Sequence, residues 1–447
     1  MAQGALPGFR DFYPEQFAER AHLMGVWREV ARRFAFVEYD GPPLESLELY
    51  KKKSGDEIVG QLYNFTDKGG REVALRPEMT PTLARMAAAK ANALRKPVRW
   101  FSVPQLFRYE RQQRGRLREH FQLNVDIIGE ADVTADAELL AVAIEIMRGC
   151  GLTSNDVHAR VSDRRLLQGV LSGLGVGDPQ LPSVFDVVDK VDRRPRDASI
   201  AKLEAVGMSA RSIESFLTLL DNSRLDDIEA AFRDAPEVQE RVTEIRRYFG
   251  LLRALDVLEW VTFDLKIVRG LAYYSGIVFE LFDKAGEMRA ICGGGRYDSL
   301  LKIVGDTDLP ALGFGMGDVV LSDLLRERGL MPSSVLGPEV WLAGVDSGER
   351  SATRVRQVAT QLRRAGLSVE YSLRPLSLNS QRSAAKQAGA SFVVALPTAV
   401  ETEAAWCEAE VPIHSFEDKE PRRSTVPNLA PYLRAEIDKL RAKPTPP

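Results

Sequence analysis

Cysteine and histidine are both scarce in this chain. Its 447 residues include three cysteines and four histidines. Cys150, Cys292 and Cys407 lie far apart and show no CxxC spacing, which argues against a disulfide framework and against a structural zinc site. The histidines are scattered as well, so the sequence predicts no metal ion held by clustered side chains.

Long apolar runs and a strong net charge are also missing. No stretch reaches the ~18 apolar residues that a membrane span needs, and the N-terminal residues contain no apolar signal-peptide core. We therefore expect a cytoplasmic protein without a membrane segment. The net charge is −3, so contact with nucleic acid would depend on local basic patches. The length predicts two or three domains.

The segment FRYERQQRGRLREHFQLNVD, residues 107–126, is the most unusual part of the chain. It carries five arginines and no lysine: Arg108, Arg111, Arg114, Arg116 and Arg118. Arginine is suited to bidentate recognition of phosphate, and the flanking residues have the apolar pattern of two strands. The segment could therefore be a hairpin that binds a phosphate-bearing ligand. A solvated charged loop is an equally good interpretation of these residues alone.

The order of secondary-structure patterns predicts an α+β protein. Residues 1–163 alternate amphipathic helices with strands in a manner typical of helices on an antiparallel sheet. Residues 164–260 show helical periodicity, which indicates a helical insertion. Strand patterns return in residues 261–328. After a linker, residues 338–447 follow a β-α-β-α-β order, which predicts a small α/β domain.

Three shorter segments could bind a ligand. In ALRPEMTPTLAR, Glu78 and Thr80 offer a carboxylate and a hydroxyl to an ammonium group, although a helix cap and a dipole partner are the simpler interpretation. In RGLAYYSGIVFE, Tyr273 and Tyr274 could line one pocket or face opposite sides of a strand. CGGGRYD removes side chains where a backbone or ligand comes close, as turns also do.

Taken together and in order, these segments resemble the histidyl-tRNA synthetase family of class II aminoacyl-tRNA synthetases over essentially the whole chain. PGFRDFYP is similar to the N-terminal signature, with Phe9 in place of a second glycine. The first helix with Pro42 resembles motif 1, and FRYER with FQLNVDIIG resembles motif 2. RGLAYYSGIVFE and CGGGRYD resemble the two signatures specific to the histidine enzymes. The C-terminal domain resembles an anticodon-binding domain more loosely.

The resemblance implies a histidine–tRNA ligase. Such an enzyme would use ATP and Mg²⁺ to convert L-histidine to histidyl-adenylate, and then acylate the 3′-terminal adenosine of tRNA(His). The motif 1 likeness implies a homodimer. The alternative is a non-catalytic paralogue, similar to the histidine-binding regulatory subunit of ATP phosphoribosyltransferase. A complete set of histidine contacts, an intact motif 2 and the C-terminal domain oppose that alternative.

The resemblance also assigns roles to individual residues. Arg269 and Arg108 would be catalytic, and Arg108, Glu110 and Arg116 would bind ATP. The motif 2 loop residues Arg111 and Gln113 would face the tRNA acceptor end. The residues implied to contact histidine are Glu78, Thr80, Arg108, Gln122, Asp126, Arg269, Tyr273 and Tyr274.

Two departures from the family pattern stand out. Val320 occupies the place of the motif 3 arginine, as in lineages of plant-organellar type, and we hypothesise that Arg114 or Arg116 supplies the missing charge. The later part of the C-terminal domain, residues 397–425, lacks the usual pattern of final strands. How this domain reads an anticodon therefore does not follow from the sequence.

Overall fold

The computed structural model describes residues 4–54, 56–109, 115, 117–269, 273–332, 337–345, 348–397, 400, 402–416, 418 and 420–442. The chain forms two compact units, Met1–Ser333 and Ser334–Pro447. The boundaries predicted within the first unit, at residues 163, 260 and 328, stay predictions. Within the described parts of the chain, no helix combines the length and the apolar character that crossing a bilayer requires.

The first unit is built on one large twisted sheet. Its strands follow the order β1-β5-β7-β12-β11-β10-β8-β9, and β6 also pairs with β7. The strands of this unit are β1 (Val37–Glu38), β2 (Leu44–Ser46), β3 (Asn64–Thr66), β4 (Glu72–Leu75), β5 (Val98–Ser102), β6 (Gln105–Phe107), β7 (Glu119–Ile128), β8 (Val157–Asp163), β9 (Val261–Phe263), β10 (Ile277–Asp283), β11 (Cys292–Arg296) and β12 (Ala311–Gly317). Strands β2, β4 and β3 form a separate small sheet.

The predicted antiparallel sheet is right for the centre and wrong for the edges. Strands β5, β7, β12, β11, β10 and β8 pair antiparallel, whereas β1 with β5 and β8 with β9 are parallel pairs. Both parallel partners are very short, so their few residues carry no periodicity from which a direction could be predicted. The fold is therefore α+β with a mixed sheet.

Helices cover the sheet and extend the first unit. Two of them, α1 (Pro14–Arg33) and α4 (Val133–Gly149), bury Trp27 and Ile144 against the core-facing residues of β7. Asp132 caps α4 by accepting a hydrogen bond from the Thr134 amide at 2.9 Å. The remaining helices that border the sheet are α2 (Leu47–Ser54), α3 (Thr80–Ala89), α11 (Leu300–Gly305) and α12 (Asp318–Glu327).

The segment predicted to be a helical insertion is helical in the structure. It contains α5 (Arg164–Gly173), α6 (Leu181–Asp189), α7 (Arg196–Ala205), α8 (Ala210–Asn222), α9 (Leu225–Ala231) and α10 (Pro236–Ala254). These helices bury their own apolar cluster, which includes Leu167, Phe216 and Ile245. Because α10 also packs on α4, the segment is continuous with the unit that carries the sheet.

The second unit confirms the predicted β-α-β-α-β order and extends it. Its elements are β13 (Val340–Gly344), α13 (Glu349–Arg364), β14 (Val369–Tyr371), α14 (Leu378–Gln387), β15 (Phe392–Leu396), α15 (Glu403–Glu408), β16 (Glu410–Ser415), β17 (Arg422–Thr425) and α16 (Leu429–Ala442). Strands β14, β13 and β15 are parallel, and β16 and β17 add an antiparallel edge. The sequence pattern does not predict β16 and β17 because polar residues and Pro412 interrupt their alternation.

Candidate active site

One face of the central sheet is lined by polar side chains and bare backbone. Gln122, Asn124 and Asp126 alternate along β7 and therefore point to the same side of the sheet. Their cross-strand partners on β12 are Gly317, Gly315 and Gly313, and the partners of the last two on β11 are also glycines. The middle of this face is consequently a floor without side chains, bordered by the polar residues of β7.

The glycines of this floor are required by close approach. A Cβ atom at Gly313 would overlap the Asp126 carboxylate, and one at Gly293 would overlap the Arg269 guanidinium. The CGGGRYD segment therefore removes side chains to let a functional group lie on the sheet, as the sequence suggested.

A small cavity of about 70 Å³ lies on this floor. All eight residues predicted to contact histidine line it, although they come from the start of α3 and the residues just before it, from β7, and from the segments after β6 and before β10. The structure thus brings the predicted residues together, while their individual roles stay predictions. Asn124 and Tyr297 also line the cavity.

Glu78 and Thr80 reach the cavity from the start of α3. The helix begins at Thr80 itself, its N-cap residue is Met79, and no side chain caps it. The interpretation of Thr80 as the helix cap is therefore wrong, and its hydroxyl lies at the cavity instead. Opposite them, Arg108 is oriented by a hydrogen bond of 3.0 Å from its Nε to the Pro77 carbonyl.

Asp126 and Tyr297 form the buried end of the cavity. The Tyr297 hydroxyl donates a hydrogen bond to Asp126 Oδ1, and the Tyr273 ring meets the Tyr297 ring edge-on at 5.9 Å. Asp126 is 4% exposed. Burial raises the pKa of Asp126 to about 7, although the hydrogen bond from Tyr297 lowers it. This carboxyl group therefore changes protonation near neutral pH.

Replacing Asp126 by asparagine is expected to flatten the dependence of stability on pH between about 4 and 7. In this window the unfolded chain ionises Asp126 while the folded protein keeps it protonated, so rising pH favours unfolding. The full cost above pH 7 is on the order of 4 kcal/mol. Urea unfolding at pH 4.5 and pH 7.5 measures the free energy of unfolding of both proteins. Between these two pH values, the wild type should lose more stability than Asp126→Asn. Equal losses in both proteins would contradict a raised pKa.

Arg269 lies at the opening of the cavity in an unusual conformation. Its φ angle is +56°, which non-glycine residues rarely adopt, and Arg164 donates hydrogen bonds to the carbonyls of Val268 and Arg269 at 2.8 and 3.2 Å. Its Nη1 pairs with the Glu280 carboxylate on β10. Burial alone would lower the pKa of Arg269, but Tyr274 and Glu280 raise it, so the guanidinium stays charged.

A larger cleft of about 750 Å³ adjoins the small cavity. The cleft and the small cavity share Arg108, Gln122 and Arg269. A ligand in the cavity and a ligand in the cleft would therefore meet at these three residues. The outer part of the cleft is lined by Arg193, Arg289, His120 and Val320, among others. The predicted ATP and tRNA contacts Glu110, Arg111, Gln113 and Arg116, and also Arg114, lie outside the described residues.

The sequence analysis missed three residues of this site. Asn124 had a usable signal, because it lies between Gln122 and Asp126 in a strand of period two. Tyr297 and Glu280 belong to CGGGRYD and RGLAYYSGIVFE. The partner of Tyr297 is distant in sequence, whereas Arg269, the partner of Glu280, lies at the start of the same segment. Only the strand order β7-β12-β11 brings Tyr297 to Asp126.

A small polar cavity beside an arginine-lined cleft on one sheet is the kind of site that an aminoacyl-tRNA synthetase needs for an amino acid and a nucleotide. Residues 8–318 match the family model described as histidyl-tRNA synthetase. The chain is 44% identical over 395 residues to the histidine–tRNA ligase of Opitutus terrae, covering 87% of this chain and 90% of that relative. The chain therefore belongs to the histidyl-tRNA synthetase family.

Two further comparisons agree with this placement. The chloroplastic/mitochondrial histidine–tRNA ligase of Arabidopsis thaliana is 42% identical over 381 residues, covering 84% of this chain and 77% of that relative. The crystal structure of the histidyl-tRNA synthetase from Nostoc sp. superposes with a TM-score of 0.81 at 22% identity, covering 98% of this chain and 100% of the other. This last likeness shows that the fold is shared.

Proposed function

We propose that this protein is a histidine–tRNA ligase. It joins L-histidine to ATP, giving histidyl-adenylate and pyrophosphate, and then transfers histidine to the 3′-terminal adenosine of tRNA(His). The observation that carries the proposal is the cavity on the glycine floor, where the ammonium-binding, imidazole-binding and phosphate-binding candidates converge. We further propose that it acts in the cytoplasm.

The cavity is suited to histidine at both of its ends. Glu78 and Thr80 supply acceptors for the α-ammonium group. At the other end, a neutral imidazole has one donor and one acceptor, and Asp126 with the tyrosine hydroxyls can satisfy both. Because the pKa of Asp126 is about 7, close to that of imidazole at roughly 6.5, a proton is easily shared between them. A side chain without such groups would leave buried polar atoms unpaired.

Adenylate formation would take place where the cavity and the cleft meet. The histidine carboxylate attacks the α-phosphorus of ATP, the new C–O–P linkage forms, and the bond to the β-phosphate breaks to release pyrophosphate. Negative charge on the phosphoryl oxygens rises during this step, and Arg108 and Arg269 line both spaces. Preorganised cations at this point stabilise the transition state, which is the main task of a protein in phosphoryl transfer.

Magnesium would enter with ATP rather than through a protein-held site. Among the described residues, no group of three or more histidine, cysteine or carboxylate side chains is placed to hold a metal ion. Mg²⁺ commonly takes its ligands from substrate phosphates and water, with one or two carboxylates. We therefore assign the ion to the nucleotide.

We also propose a homodimer and a tRNA contact at the motif 2 loop. The N-terminal part of the first unit leaves several large apolar side chains exposed: Leu6, Tyr13, Phe17, Leu44 and Phe65. The homodimer itself is proposed from the resemblance of the first helix with Pro42 to motif 1, which lies in this same N-terminal part. Arg111 and Gln113 are proposed to face the acceptor end of the tRNA.

Exchange of radiolabelled pyrophosphate into ATP tests the activity directly. The purified protein should catalyse exchange with L-histidine and show none above background with glutamine or phenylalanine, which lack an imidazole. Aminoacylation of tRNA(His) should follow. A folded protein that binds histidine without exchange would instead be a regulatory paralogue, and the ligase proposal would fail.

A further inference from the structure

The outer wall of the nucleotide cleft needs a cation beyond those at its inner end. A bound ATP carries its terminal phosphates away from the reacting α-phosphate, and Arg108 and Arg269 stand at the inner end, where the small cavity opens. Arg269 is also engaged by Glu280. At the wall formed by the start of α12, the cleft is lined by Val319 and Val320, which offer only methyl groups.

Arg289 and Val320 of this wall approach the same point of the backbone, at Gly115. Gly115, the described residue of the arginine-rich loop nearest to the wall, has a φ of +73°. A Cβ atom at Gly115 would be 3.4 Å from Val320 Cγ2 and 3.8 Å from Arg289 Cδ. The two side chains therefore flank the same backbone point, and of the two only Arg289 carries a charge. Both residues line the cleft.

The turn that carries Arg289 is held by hydrogen bonds to a buried carboxylate. Asp283, 2% exposed at the end of β10, accepts hydrogen bonds from the amides of Glu287 and Met288 at 3.2 and 3.0 Å. The Ile291 amide then donates to the Leu281 carbonyl at 2.8 Å, which returns the chain to the sheet. Arg289 is thus presented from a defined turn, which reduces the entropy lost when it binds an anion.

We propose that Arg289 binds the terminal phosphates of ATP and the pyrophosphate that leaves, in the space beside Val320. The inference rests on the proposed function. Three carboxylates, those of Glu280, Glu287 and Asp189, also line the cleft, and Glu280 is paired with Arg269. A triphosphate can therefore bind only if cations outweigh these carboxylates, and Arg289 adds its charge to those of Arg108, Arg193 and Arg269 in the cleft.

Replacing Arg289 by alanine is expected to raise the KM for ATP about 10- to 100-fold. This is the loss of affinity expected when one hydrogen bond to a charged group is removed. The KM for histidine should stay within about twofold of the wild-type value, because the residue is remote from the small cavity. Arg289→Lys should retain part of the affinity. Lys284→Ala, an exposed neighbour on the same turn, is the matched control and should leave both constants unchanged.

A rescue variant separates direct contact from an effect on folding. If Arg289 acts through its charge beside Val320, then Arg289→Ala combined with Val320→Arg should recover at least half of the lost ATP affinity on a logarithmic scale. An unchanged KM for ATP in Arg289→Ala, or a loss that the double variant does not recover, would overturn the inference. Equilibrium titration with ATP keeps the test independent of turnover: a wild-type protein that binds ATP but does not exchange refutes the ligase proposal alone.

Discussion

Replacement of Arg269 by alanine is expected to lower kcat for histidine-dependent ATP–pyrophosphate exchange by about 100- to 1,000-fold, the usual effect of removing one preorganised charge donor. Arg269 stands at the junction of the two spaces, lies against the bare backbone of Gly293, and keeps its charge despite burial. Because negative charge accumulates at this junction only during reaction, the loss should fall mainly on kcat.

The control for Arg269 is an arginine of similar burial outside the site. Arg99, on β5, pairs with Glu138 at 2.6 Å. Replacement of Arg99 by alanine should leave the exchange rate within about twofold of the wild-type rate. Binding of histidine to Arg269→Ala, followed by calorimetry, verifies that the cavity has survived. A folded Arg269→Ala protein that keeps a tenth or more of kcat would remove Arg269 from the catalytic set.

Replacement of Arg296 by alanine is expected to lower the free energy of unfolding by about 3–5 kcal/mol, because it leaves a buried charge without its partner. Arg296 in the CGGGRYD segment is 6% exposed and pairs with Asp136 of α4. It also donates to the carbonyls of Glu130 and Asp132 at 2.9 and 3.3 Å. Burial raises the pKa of Asp136 to about 6, and Arg296 opposes that rise.

Urea titration of the full chain measures this effect, and a double variant separates its causes. Asp136→Asn combined with Arg296→Met removes both charges, so it should be less destabilised than Arg296→Ala alone. Arg32→Ala removes an exposed ion pair with Glu29 and should change stability little. If Arg296→Ala and Arg32→Ala proved equally stable, the buried ion pair between Arg296 and Asp136 would not be the interaction that holds β11 against α4.

Much of the local structure follows from periodicity. The apolar spacing predicts helices at residues 15–36 and 134–150, and the structure has them at Pro14–Arg33 and Val133–Gly149. Both carry a continuous apolar face, and the second is started by the side chain of Asp132. The antiparallel edge strands β16 and β17 of the second unit escaped prediction, because their six and four residues with polar interruptions contain too little pattern.

The candidate site was reached by a different route. Glu78 with Thr80 and the tyrosine pair had simpler structural interpretations as isolated segments, and only their order along the chain indicated a histidine pocket. The roles of these residues rest on that resemblance. Tyr297 and Glu280 show the limit of the approach, since each was inside a recognised segment and neither was singled out.

The sequence by itself determined the helices and longer strands, the α+β class and the family to which the chain belongs. These depend on local periodicity and on motifs that can be compared one by one. Only the tertiary structure decided that Tyr297 donates to Asp126, that Glu280 pairs with Arg269 and that Arg289 lies beside Val320. The contact of Tyr297 with Asp126 arises because non-consecutive strands pair across the sheet, with β12 between β7 and β11, and such pairing depends on packing of the whole unit rather than on any local pattern.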